Sequence, residues 1–158
     1  MNKIILANKF KTFSITQRFG ATTFAMQNPT YYPPGGHNGI DYGIPIGTPI
    51  YTTHSGYCVQ DNDIGKQAKG IYIVIVDPDQ NIATHYYHLS RNFFNYGDYI
   101  RKGDLIGLSG STGLSTGPHL HFGLCIVDPV TWVRIDKDNG FNGFIDPLNS
   151  DLVEWEDD

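Results

Sequence analysis

His119-Leu120-His121 holds the closest pair of histidines in the chain, nearer than His85 and His88. The run His-Leu-His-Phe-Gly-Leu reads as a strand, on which side chains alternate faces, so both imidazoles point one way and Leu120 the other. Two imidazoles so placed can share one small cation site, or stand as a surface pair on an exposed strand. His37-Asn-Gly-Ile-Asp41 adds an imidazole and a carboxylate four residues apart. A helix would suit that spacing, but Gly35, Gly36, Gly39 and Gly43 argue against one. A loop leading into a strand fits better, with Asp41 facing away from Ile40 and Tyr42. Neutral imidazole and carboxylate are what zinc takes in catalytic sites, with three protein ligands and a fourth position open to water. Two histidines and one carboxylate supply such a set and leave a net charge of about +1 to polarise that water. His85-Tyr-Tyr-His88-Leu-Ser90 offers a further imidazole that titrates where a general base must. His85 or His88 meets that need, and packing is the other role open to each.

Short strands must position these groups. Eighteen Gly and nine Pro punctuate the 158 residues, and 13% of the chain is aromatic, a composition of turns and β structure. Strands are predicted over Phe13–Phe19, Thr48–Thr52, Ser55–Gln60, Ile71–Val76, Ile82–His88, from Ile100, over Leu105–Ser109 and over His119–Val127. Ile71–Val76 and Ile82–His88 form a hairpin around Asp77-Pro-Asp-Gln-Asn81. No amphipathic helix longer than two turns is predicted. Residues 20–36 make a long connection, and long connections in compact domains are often functional. The expected architecture is a single, mainly antiparallel β domain over 1–158.

The ordered set His37-Asn-Gly-Ile-Asp41, Tyr86-Tyr-His88-Leu-Ser90 and Gly110-Ser-Thr-Gly-Leu-Ser-Thr-Gly-Pro-His119-Leu-His121-Phe resembles the lysostaphin/LytM-type zinc peptidases. Gly43-Ile-Pro-Ile-Gly-Thr-Pro-Ile50 and Gly97–Gly107 resemble that family's connecting segments. The likeness covers about residues 15 to 126 and leaves 127–158 as an extension of unassigned role. It implies a compact antiparallel β fold with the site in a groove, and hydrolysis of peptide cross-links in bacterial peptidoglycan. It implies His37, Asp41 and His121 as zinc ligands, and His119 and His88 as catalytic histidines that orient the attacking water and take its proton. A tyrosine of the 20–36 loop, Tyr31 or its neighbour Tyr32, would donate to the oxyanion, with Tyr31 the first choice. His85 and His54 match nothing in the family and default to structural or surface roles.

Other features set limits. A net charge of −5 and no basic cluster longer than Arg101-Lys102 give nucleic acid little to bind. No stretch is long and apolar enough for a membrane span. Ile4–Ala7 is too short for a signal-peptide core, so the chain is expected in the cytoplasm, released by lysis, carried in a phage particle, or shorn of a leader. A monomer is expected. Cys58 and Cys125 read as buried thiols, and Asp151–Asp158 as a solvated acidic terminus. The competing readings are a metal-free binding module of the same fold and a virus-tail or secretion component with local wall-degrading activity. A D-Ala-D-Ala carboxypeptidase ranks last, since its first motif has a longer gap between His and Asp. Loops 20–36, 61–70 and 128–144 would shape the subsites.

Overall fold

The computed structural model describes residues 2–60 and 68–157. In chain order the elements are β1 (Ile4–Ala7), β2 (Ser14–Gln17), α1 (Thr23–Gln27), β3 (Ile40–Gly43), β4 (Pro49–Tyr51), β5 (Gly56–Gln60), β6 (Ile71–Asp77) and β7 (Ile82–Leu89). There follow β8 (Arg91–Asn92), β9 (Tyr99–Ile100), β10 (Leu105–Leu108), β11 (Leu120–Ile126), β12 (Phe144–Ile145) and β13 (Val153–Glu156). The main sheet runs β2-β3-β11-β7-β6-β5-β9, with β12 added at the far end of β11, and its pairings are antiparallel. A smaller sheet orders β4-β10-β8, and β1 pairs with β13 in parallel. The mainly antiparallel β architecture is as the sequence implied.

Alternation along β3, β7 and β11 sorts core from site. Ile40 and Tyr42, Ile82 and Tyr86, and Leu120, Phe122 and Leu124 turn to one face and form the large core with Ile73, Ile75 and Ile106. The residues between them, Asp41, His85, Tyr87, His121 and Cys125, turn to the other face. There Tyr72, Val74, Tyr87, Cys125 and Phe144 make a second, smaller cluster. Cys58 lies in the first cluster and Cys125 in the second, so they remain thiols.

His88 breaks the alternation. By parity with Tyr86 it belongs in the core, but the β6–β7 register slips between Ile71 and Ile73, and His88 takes φ 65°. Leu89 fills the core position in its place. A bulge of this kind re-aims one side chain, and here it sends His88 into the groove.

Two terminal expectations change. The first strand is β1 rather than the segment from Phe13, which narrows to Ser14–Gln17. The acidic terminus is not simply solvated. Val153 is buried, and the Trp155 ring packs 5.8 Å from Phe122 and 6.3 Å from Phe10. Trp155 Nε1 donates to the Pro147 carbonyl at 2.8 Å. The physical reason is a period of two in Val-Glu-Trp-Glu, apolar inward and acidic outward, which the count of acids hides.

Candidate metal centre

Three chain segments meet at one point because of register. β3 and β11 are paired so that Asp41 lies opposite His121, and His121 is opposite Tyr87 on its other side. His37 precedes β3 and is fixed by an isolated bridge to Gly20. Its Nδ1 donates to the Arg18 carbonyl at 2.9 Å, which leaves Nε2 as a bare lone pair. That Nε2 lies 3.1 Å from His121 Nδ1 and 3.2 Å from Asp41 Oδ1, and His121 Nδ1 lies 3.1 Å from the same oxygen.

This triangle tests the fit to zinc. Neighbouring ligands of a tetrahedral ion, bound at about 2.0–2.1 Å, sit about 3.3 Å apart. Lone pairs of a neutral imidazole and a carboxylate facing each other while buried repel unless a cation lies between them. The spacing and the donor set both fit the ion. Burial alone would raise the Asp41 carboxyl, but in the metal-free protein N–H donation from His121 and then from His37 outweighs it and holds the pKa well below the ordinary carboxylate range, a stabilisation that a bound cation would supply instead. Burial likewise lowers His121, so neutral imidazole faces anionic carboxylate. With Nδ1 of His121 as the ligand atom, its proton sits on Nε2, which is buried and has no protein acceptor.

His88 and His119 flank the triangle. Their rings are 4.6 Å apart, and His119 Nε2 is 3.8 Å from Asp41 Oδ1. Each is oriented by its backbone neighbour: His88 Nδ1 donates to the Thr112 carbonyl at 2.7 Å, and His119 Nδ1 to the Gly117 carbonyl at 2.8 Å. Both therefore keep Nε2 as the free, basic nitrogen. Burial pushes His88 down to about 4, with the Thr112 carbonyl opposing, so its Nε2 is unprotonated at neutral pH. His85 turns to the same face but away from the triangle, with Nδ1 3.0 Å from the Tyr87 hydroxyl and Nε2 3.6 Å from Cys125 Sγ. His54 is buried on the core side, with Nε2 2.8 Å from Thr84 Oγ1.

The triangle opens into a groove of about 730 Å³ lined by residues of loop 20–36 and by Lys69, Arg134, Asn142 and Phe144. Tyr31 stands at its rim, 62% exposed. Tyr32 is the loop tyrosine packed on a candidate ligand, 5.7 Å edge-on to His37, and its pKa is raised by burial and by Asp41. Most of loop 61–70 lies outside the described residues; Ala68, Lys69 and Gly70 are within them. The segment after β11 does two things: β12 extends the sheet beside β11, and Arg134, Asn142 and Phe144 wall the groove.

Sequence reasoning missed Tyr87, whose ring stacks on His121 at 5.0 Å and 14°. Its parity with His85 places it on the site face, but only the register puts it against His121. Arg134 and Lys69 carried no signal at all.

The model of peptidase family M23 matches residues 35–145. The chain is 42% identical over 90 residues to the peptidoglycan DD-endopeptidase ShyA of Vibrio cholerae, covering 57% of this chain and 20% of that protein. Its fold matches the catalytic domain of the antimicrobial peptidase lysostaphin from Staphylococcus simulans with a TM-score of 0.67 at 30% identity, over 90% of this chain and 94% of that one. A zinc-containing peptidase from Vibrio cholerae matches with a TM-score of 0.65 at 26% identity, over 94% of this chain and 39% of that one. The chain thus spans a fifth of the ShyA relative's length.

Proposed function

The chain belongs to peptidase family M23, and we propose that it is a zinc-dependent endopeptidase that hydrolyses peptide cross-links or stem peptides of bacterial peptidoglycan. The observation that carries this reading is the triangle of His37, Asp41 and His121, with edges of 3.1–3.2 Å, flanked by two histidines whose basic nitrogens are left free. The name of the ShyA relative, a peptidoglycan DD-endopeptidase, supports the substrate class.

His37, Asp41 and His121 would hold the zinc, which would supply a Lewis acid and bring the pKa of water down to about 7. The remaining work falls to the side chains. His119 Nε2, beside Asp41, orients the attacking water and accepts its proton. His88, held neutral by burial, shares that task and returns a proton to the leaving amine. A hydroxyl from Tyr31 or Tyr32 donates to the oxyanion as the carbonyl is attacked.

Replacing His121 or Asp41 by Ala is expected to abolish both bound zinc and release of wall fragments. Replacing His119 or His88 by Ala is expected to leave one zinc per chain and lower turnover about 10²–10⁴-fold. Wall hydrolysis retained by Asp41→Ala would sink the reading.

A further inference from the structure

Two cations sit beside the metal centre with no anion of their own among the described residues. Lys69 Nζ lies 5.1 Å from the Tyr72 ring and 5.5 Å from the Tyr87 ring, and Tyr87 is the ring stacked on His121. Arg134 reaches the same wall from the segment after β11. Its guanidinium carbon lies 4.7 Å from the Phe144 ring, which packs 4.8 Å from His85. Gly143, at φ 84°, makes room for the stem, since a Cβ there would fall 2.8 Å from Arg134 Cγ. Both cations line the groove and are half-buried.

Among the described residues no carboxylate neutralises either. Ion pairs engage Lys11, Lys102 and four histidines, but not Lys69 or Arg134. Arg134 Nε is buried without an acceptor. Among the described residues that line the groove, Asp41 is the one carboxylate, and it belongs to the metal triangle. The two cations also oppose each other: burial, then Arg134, pushes the Lys69 pKa down. In a chain with sixteen acids and a net charge of −5, two cations left facing each other in a groove are out of keeping with the rest of the surface. Partly buried charge costs free energy unless it is paired. The groove's occupant can supply the missing anion.

We propose that Lys69 and Arg134 form an anion subsite that selects wall peptides bearing a free carboxylate close to the scissile bond, over bridges of uncharged residues. The proposal rests on the peptidase reading and names its substrate class. A guanidinium fork takes a carboxylate through two parallel N–H···O bonds, and an adjacent ammonium adds a point charge. Steps of 5.5 Å from Nζ to the Tyr87 ring and 5.0 Å from there to His121 set the reach. At about 3.4 Å per residue of extended peptide, the carboxylate lies within about three residues of the bond cut.

The test uses the full chain loaded with zinc and two synthetic wall peptides that differ in one group, a free side carboxylate or its carboxamide. The acid is expected to be cut with a kcat/KM at least about tenfold higher, expressed mainly in KM. In Arg134→Gln and in Lys69→Gln the acid-to-amide ratio is expected to fall towards one, with one zinc per chain retained. Equal cleavage of both peptides by the unaltered chain overturns the subsite and leaves the peptidase reading intact. So does an acid preference that survives both substitutions together. Cleavage of neither peptide overturns the peptidase reading and the subsite with it. The first comparison needs no variant, so a misfolded substitution does not remove the test.

Discussion

Gly39→Ala perturbs the metal centre by adding one methyl group and no new chemistry. A Cβ at Gly39 would lie 2.6 Å from His121 Nε2 and 2.5 Å from the Phe122 carbonyl oxygen, against 3.4 Å for ordinary contact. Neither neighbour yields freely. The His121 ring is stacked on Tyr87, and the Phe122 carbonyl belongs to β11 where that strand pairs with Ile40. Relief must come from β3 or from the ring, and either motion alters the 3.1 Å approach of His121 Nδ1 to Asp41. Overpacking of this kind costs about 1–3 kcal/mol in the metal-free protein. Mis-setting a ligand lowers metal affinity about 10–100-fold, which removes about 1.4–2.7 kcal/mol of zinc-linked stabilisation. At about 2–4 °C per kcal/mol for a domain of this size, the rise in Tm on adding zinc shrinks by roughly 3–10 °C. Thermal melts with and without zinc, together with chelator competition, measure both effects. An unchanged metal-free Tm with unchanged zinc affinity would refute the account of how β3 and β11 hold the ligands.

Further outcomes follow from the same structure. Tyr32→Phe is expected to lower kcat with little change in zinc content, and parallel kinetics of Tyr31→Phe decide which loop hydroxyl serves the oxyanion. His85 is buried, and its pKa is held well below the usual 6.5 by that burial and then by Arg134 and Lys69. The unfolded chain therefore binds a proton below pH 6.5 that the native state refuses, so His85 contributes stability that is present above that pH and lost as pH falls. In metal-free protein, His85→Gln is expected to flatten the decline in unfolding free energy between pH 6.5 and 5, by up to about 1.4 kcal/mol per pH unit at the acid end, read by urea titration at each pH. Trp155→Ala removes the ring that packs on Phe10 and Phe122, and is expected to cost about 2–4 kcal/mol in the same titration. A cost near zero would mean that the terminal strand is dispensable.

Much of the site was legible in the residues because its logic is local. A period of two fixes that His119 and His121 share a face with each other and not with Leu120. The same period separates Asp41 from Ile40 and Tyr42, and the hairpin of β6 and β7 follows from two apolar runs around a turn. The acidic terminus misled because its charge outweighed the alternation of Val153 and Trp155, which is equally local and was there to be read. Arg134 was not legible, since nothing in the segment after β11 says which way it folds back.

Residue type and alternation determined the candidate donors, the face on which each stands, and the antiparallel β class, while the choice of His37, Asp41 and His121 among those donors came from the family resemblance. Tertiary structure alone decided the rest. Asp41 and His121 are eighty residues apart, and their meeting depends on the register of β3 against β11. The slip that turns His88 outward depends on β6, which no window of β7 contains. Register and bulges are set by cross-strand packing summed over the whole sheet, so they are properties of the assembled core and have no signature in any single segment.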